Sequence, residues 1–350
     1  MERIEFKKVG YDPQIDYIKG LCILFVVWTH CMNRGELSNI LFPYWGDTAV
    51  PIFIIIQVFH YYKKGVSIRM PSVSKLWKRI LRPYITMVAL MFIALFFMYY
   101  DMTDGTFSPT LYWEKRGPGS YYIFIYLEMA FVIPLFAPLF RKFSTKWLFV
   151  FFLILSQLVE IVCSLTHTPD NIYRIVFFRY IFLIFIGYLL ATKGLILNKL
   201  TITASIFSMF FLYLFAYKEI DMEPLFCTHL SLWPLCHWVC YIYIAFFFLE
   251  FLKYTYTQIV ACNRILSYIN NIGKYSYEIY LFQILYYATI SIYVEKALTI
   301  IEYHPLQRIL YIGISTIICI IPMIYKRVSS DGNKKTKENE KLQNYLDRLG

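Results

Sequence analysis

Apolar runs of about twenty residues, the length that crosses a bilayer as a helix, recur through the whole chain. They lie near residues 15–33, 43–62, 82–100, 121–140, 147–165, 172–192, 200–217, 232–252, 268–290 and 306–325. Backbone polar groups in hydrocarbon must be satisfied within the protein, so runs of this length and frequency fold as helices. The chain has 350 residues, and the runs leave only short loops and a tail. There is no room for a soluble domain of ordinary size. The expected fold is therefore all-α, a polytopic integral membrane bundle of about ten transmembrane helices. Composition agrees, with 59% hydrophobic and 16% charged residues, against roughly 25% charged in soluble domains. A disordered chain, a disulfide scaffold and an ordinary cytosolic enzyme are excluded.

The net charge of +11 raises the question of a nucleic-acid partner. The positions of the basic residues answer it. Most of the 34 Lys and Arg residues fall in alternate connections and in the tail: Lys7 and Lys8, the stretch from Lys63 to Arg82, Arg141 to Lys146, Lys193, Lys199, Lys253, Arg264, Lys274, and the tail from Lys326 to Arg348. Such a bias orients a membrane protein with these segments in the cytoplasm. No nucleic-acid partner is expected, and membrane lipids are the surroundings. Residues 1–14 are read as a cytoplasmic N-terminal segment, 15–325 as the ten-span membrane domain, and 326–350 as a cytoplasmic tail with a short helix around 342–349. No cleavage signal follows a short apolar core, so the first span is expected to remain as an anchor. Cys227, His229, Cys236, His237 and Cys240 cluster near one outer boundary but lack CxxC pairing. They are read as apolar cysteines and interfacial histidines, with no metal site.

Ionisable residues inside spans are costly and mark functional positions. The first span carries Asp16, Lys19 and His30. Lys19 and His30 are eleven residues apart, close to three full turns, so they share one face about 16 Å apart along the axis. Asp16 lies one turn before Lys19, placed to pair with it. Arg79 and Arg82 are three apart at the entry to the third span, where a planar guanidinium fork suits phosphate oxygens. Gln57, His60, Glu128, Arg179, Tyr277 and Gln283 are further candidates for contact with a substrate.

Three blocks, in order, resemble the membrane acyltransferase-3 family, bacterial multi-span enzymes that O-acylate polysaccharides and other glycans. The run from Ile15-Asp16-Tyr17-Ile18-Lys19-Gly20 to Thr29-His30 is similar to that family's first span, with a basic residue, ten intervening residues and a His. Arg79-Ile80-Leu81-Arg82 matches its Arg-x-x-Arg entry to the third span. Gly273-Lys274-Tyr275-Ser276-Tyr277-Glu278-Ile279-Tyr280-Leu281 is similar to its Gly-x-x-Ser-Tyr-x-x-Tyr-Leu block. Two departures stand out. Gln57 and His60 occupy a stretch where the family usually has Phe-Phe-x-x-Ser-Gly, and Gln283 stands where a His often follows Tyr-Leu.

The resemblance implies acyl transfer, probed by acetyl first, from cytoplasmic acyl-CoA as co-substrate (acetyl-CoA or another acyl-CoA, no metal) to a polysaccharide or lipid-linked glycan. The implied setting is the bacterial plasma (inner) membrane, with both termini cytoplasmic. His30 is the expected general base, with Asp16 beside it in the catalytic set. Lys19, Arg79 and Arg82 are the expected holders of CoA phosphates. An acyl-His intermediate is the variant ranked second. A polytopic transporter or flippase is the main rival, but it should show related halves or helices interrupted at matching positions, which the sequence does not display. Oligomeric state is open.

Overall fold

The computed structural model describes residues 12–32, 34–102, 121–194, 198–218, 220–230, 237–259 and 262–328. All regular structure among the described residues is helical. The expected tail helix at 342–349 lies outside the described residues. Seven described helices are long and apolar enough to cross a membrane: Phe42–Tyr62, Val73–Met98, Tyr122–Lys142, Thr145–Leu165, Lys199–Tyr217, Trp238–Ile259 and His304–Val328.

The three remaining expected runs are helical but different in kind. Pro13–His30 carries Asp16 and Lys19, which lower its hydropathy. It starts cleanly, because the Asp12 carboxylate accepts the Gln14 N–H at 3.0 Å and Pro13 opens the first turn. The expected span at 172–192 is broken. Asp170–Ile175 ends at Val176, whose backbone is extended, and a short 3-10 turn, Phe177–Tyr180, leads into Ile181–Thr192. The expected continuous span at 268–290 is likewise two helices, Asn263–Lys274 and Ser276–Ala288, divided at Tyr275. Hydropathy reads each of these two places as one continuous span, whereas the structure divides it.

Two of these helices, Pro13–His30 and Ile181–Thr192, lie in the interior of the bundle. Every residue from Ile181 to Tyr188 is buried, and Pro13–His30 buries Ile15, Asp16, Tyr17, Ile18, Gly20, Cys22, Ile23 and Val27. By contrast only 17% of an apolar 18-residue stretch within Val73–Met98 is buried, so this span presents most of its apolar surface to lipid. The peripheral helices supply the hydrophobic girdle and leave the central ones free to carry polar groups.

Small residues let the central helices touch. A Cβ on Gly273 would lie 1.6 Å from the Asp16 carbonyl oxygen, and one on Gly20 would lie 2.3 Å from the Ile269 carbonyl oxygen. The first helix and Asn263–Lys274 therefore cross in backbone contact, with a glycine on each side. Gly187 does the same for Ile181–Thr192, where a Cβ would sit 2.5 Å from the Val58 Cβ.

Candidate active site

The first helix is the axis of the site. It runs without interruption from Pro13 to His30, so Lys19 and His30 keep their shared face and their axial offset of about 16 Å. Lys19 Nζ lies 2.5 Å from Asp16 Oδ1, and Asp16 is buried. That pair stands at the end of the bundle where the basic connections gather. Asp16 is fourteen residues from His30 on one continuous helix, about 21 Å along its axis. It does not join His30 in a catalytic pair; it holds Lys19.

At the opposite end, His30 is the last residue of the helix, half-buried, and is framed by two neighbours. The ring of Tyr287 meets the imidazole edge-on with centroids 5.6 Å apart. The Tyr287 hydroxyl donates to the Val27 carbonyl at 2.8 Å and lies 2.9 Å from the Cys31 sulfur. Arg308 closes the helix end: its Nη1 donates to the Cys31 carbonyl at 3.0 Å and its Nε to Glu36 Oε1 at 2.8 Å. A guanidinium over the carbonyl end of a helix is favourably placed for the helix dipole.

Arg79 lies within a five-residue π-helical turn, Trp77–Leu81, and Arg82 follows it directly. The wider turn rotates the two side chains further apart around the axis than an α-helical step of three, so the single-face reading needs correction. Both are exposed at the basic end. Such turns are frequent at functional sites. This segment is tied to the rest of the site, because the Tyr277 hydroxyl donates to the Ile80 carbonyl at 2.7 Å. Gln57 Nε2 donates to the Tyr126 carbonyl at 3.0 Å, and Tyr126 is within electrostatic reach of Arg79. His60 is exposed at the end of Ala49–Tyr62, with its ring against Phe59 and within electrostatic reach of Lys19 and Asp16.

Gln283 is the group that sequence reasoning undervalued. It is fully buried at 0% exposure, and neither its amide nitrogen nor its amide oxygen has a hydrogen-bond partner among the described residues. Gln57 Oε1 is also buried without one. Buried polar atoms in folded proteins are nearly always bonded, and an unmade bond costs about 1–3 kcal/mol. Gln283 lies four residues before Tyr287 on Ser276–Ala288, hence one turn from the residue that packs on His30. Tyr277, six residues earlier, faces the Arg79 segment. One helix thus links the basic end to His30, with an unpaired amide between.

Two candidates stand apart from this line. Glu128 accepts the Phe177 N–H at 2.7 Å, at the break after Val176. Its carboxylate satisfies a backbone donor freed by the interruption, which accounts for an acidic residue in an apolar helix. Arg179 is buried with its guanidinium 4.4 Å over the Tyr180 ring and 5.5 Å over the Tyr173 ring. Tyr173 in turn donates to Glu160 Oε1 at 3.0 Å. This aromatic and acidic group serves the broken helix at the end opposite the basic one.

No curated protein and no solved structure matches the chain. A family profile described as an acyltransferase domain matches residues 12–324 and so takes in the first helix, the Arg79 segment and the Gly273 block together. The all-helical multi-span bundle is the architecture that the three sequence blocks implied. The chain therefore belongs to the membrane acyltransferase-3 family and is a multi-pass membrane acyltransferase.

Proposed function

We propose that this protein moves an acyl group, with acetyl the first to test, from cytoplasmic acyl-CoA to a hydroxyl of a cell-surface polysaccharide or lipid-linked glycan in the bacterial plasma membrane. The observation that supports this most strongly is Gln283. Its buried, unpartnered amide lies between the basic end and His30, where an extended pantetheine arm would place a thioester.

In this reading Lys19, Arg79 and Arg82 hold the phosphates of the donor, and Asp16 keeps Lys19 in position. The acceptor hydroxyl enters from the end that carries His30. His30 takes its proton as the oxygen attacks the thioester carbonyl carbon. The carbonyl oxygen becomes negative, and the Gln283 amide N–H is the donor placed to stabilise it. The tetrahedral adduct collapses, the carbon–sulfur bond breaks, and the proton on His30 passes to the leaving CoA sulfur. Products are the O-acyl ester and CoA, so atoms and charge balance without a metal. In the second-ranked variant the acyl group rests on His30 before transfer.

The broken helices at Val176 and Tyr275 favour one other reading, a transporter or flippase of a glycan or lipid intermediate. One experiment separates the two. Surface glycans are analysed by mass spectrometry from cells carrying the wild-type gene, no gene, or His30→Ala at equal membrane abundance. Acyl transfer predicts that the acyl mass increment disappears in the last two while glycan export persists. Full acylation with His30→Ala overturns the mechanism, and loss of the glycan itself supports transport.

A further inference from the structure

Far from this line, at the end of the bundle opposite the basic one, the connection after Lys199–Tyr217 folds back on the turn that follows Thr145–Leu165. The contacts are specific. The Cys227 N–H donates to the buried Glu160 Oε2 at 3.1 Å, and Glu160 also faces His237 Nδ1 at 3.1 Å. Asp221 Oδ1 accepts from the Glu223 N–H and from the Thr228 hydroxyl, both at 3.0 Å. The His229 N–H donates to Glu223 Oε1 at 3.0 Å. These bonds bring three metal-ligating side chains to one place. Glu223, Cys227 and His229 each offer a ligand atom, and those atoms all lie within 4.8 Å of one another.

The distances fit a particular ion. Cys227 Sγ is 3.9 Å from His229 Nδ1 and 3.8 Å from Nε2. Ligand bonds of about 2.0–2.3 Å in a tetrahedron hold the ligand atoms roughly 3.5 Å apart. Glu223 Oε1 is already 2.7 Å from Nδ1, closer than two ligands of one ion, so binding would exchange that hydrogen bond for two metal bonds. The other ring nitrogen, Nε2, lies 3.2 Å from the Thr168 carbonyl. A metal-bound histidine typically donates its second N–H to a backbone carbonyl or carboxylate, which fixes the nitrogen that faces the ion. Thr168 is that acceptor here, and it leaves Nδ1 facing Glu223. The thiol is buried while the imidazole is exposed, so the ion has a held ligand and a route of entry.

We propose that Glu223, Cys227 and His229 form a zinc site that staples this connection to the turn at Thr168. One sulfur, one imidazole nitrogen and one carboxylate oxygen match zinc among the divalent ions; calcium and magnesium take oxygen ligands. The thiol proton and the proton of the His229–Glu223 hydrogen bond both leave to solvent as the thiolate, Nδ1 and the carboxylate bind, and three protein ligands leave a fourth position for water. The proposal departs from the sequence-based expectation of no metal site. His229 and Cys227 were visible as neighbours, whereas Glu223 is brought in by the loop. The site is remote from His30, so it stands or falls independently of the proposed reaction.

The full chain, purified in detergent and stripped with a chelator, is titrated with Zn2+ against a chromophoric competitor and, separately, with Co2+. Wild type should bind one zinc, gain thermal stability with it, and show a thiolate-to-cobalt charge-transfer band. Cys227→Ser should abolish the band. His229→Gln and Glu223→Gln should each weaken zinc by about tenfold or more. His304→Gln, an exposed histidine elsewhere at this end, should change nothing. Should Cys227→Ser fold poorly, the two exposed-side ligand variants carry the test. Cys163 packs against the cluster of Tyr173 and Cys227, so a Cys163–Cys227 disulfide is the competing fate to check. Such a disulfide in the purified protein, no zinc uptake, or uptake unchanged in all three ligand variants overturns the site.

Discussion

Tyr287 packs its ring edge-on against the His30 imidazole at 5.6 Å while its hydroxyl is bonded to the Val27 carbonyl one turn back on the same helix as His30. A tyrosine locked at both ends fixes the imidazole against a rigid wall. Positioning of this kind matters because small misplacements of a reacting group are expensive in rate.

Tyr287→Phe keeps the ring and removes the hydroxyl, so the Val27 and Cys31 bonds are lost. Stability should fall by about 1 kcal/mol. If the proposed general base is right, kcat falls about tenfold while KM for acyl-CoA stays within about twofold. Steady-state kinetics in detergent or nanodiscs reads both numbers. An unchanged kcat would show that the imidazole needs no such wall.

Gln283→Leu tests whether the buried amide is kept for function at the expense of stability. An apolar side chain of similar volume removes two unpaired polar atoms from the interior, so Tm should rise by about 2–4 °C. Acyl transfer should fall by about a hundredfold, because the donor to the developing oxyanion is gone. A thermal melt and an assay on the same sample decide it. A less stable variant with full activity would show that the amide is structural.

Much of this arrangement was legible in the sequence, and the reasons for the remainder are physical. The Asp16–Lys19 pair follows from spacing along a regular helix, because both partners lie within one turn. The Arg79–Arg82 geometry differs from the sequence reading because a π turn keeps the residue types of an α-helix and changes the number of residues per turn. Glu128 read as a substrate contact because its partner, the Phe177 N–H, is 49 positions away at a break that hydropathy does not reveal. The break at Tyr275 was hidden for the same reason: Asn263–Lys274 and Ser276–Ala288 are both good helices, and only their packing requires a turn between them. Gly273 stands in the Gly-x-x-Ser-Tyr block, yet its purpose lies in the Asp16 carbonyl packed against it, a contact that spacing does not reveal.

That contact gives a sharp stability prediction. Gly273→Ala puts a methyl 1.6 Å from the Asp16 carbonyl oxygen, where backbone on both sides blocks relaxation. Overpacking of well-filled interiors costs about 1–3 kcal/mol, and a backbone clash this close belongs at or above the upper end. The variant should show a lower Tm and reduced yield in the membrane. Lys274→Ala, at the neighbouring position on the same helix, should be close to wild type. Equal stability of the two variants would mean that the helices separate freely.

The phosphate role of the basic end predicts a change in donor use without a change in chemistry. Arg79→Lys and Arg82→Lys keep the charge and lose the planar fork, a loss of about 1 kcal/mol for each paired contact. KM for acyl-CoA should rise about fivefold in each variant, with kcat nearly constant. The discriminating measurement uses a donor that lacks the ribose 3′-phosphate. Wild type should prefer the complete donor, and the arginine that contacts this phosphate should lose the preference when it becomes lysine. Because the π turn separates the two arginines around the axis, only one of them is expected to show that loss. If both variants retain the full preference, the 3′-phosphate is held elsewhere, and Lys19 becomes the residue to replace next.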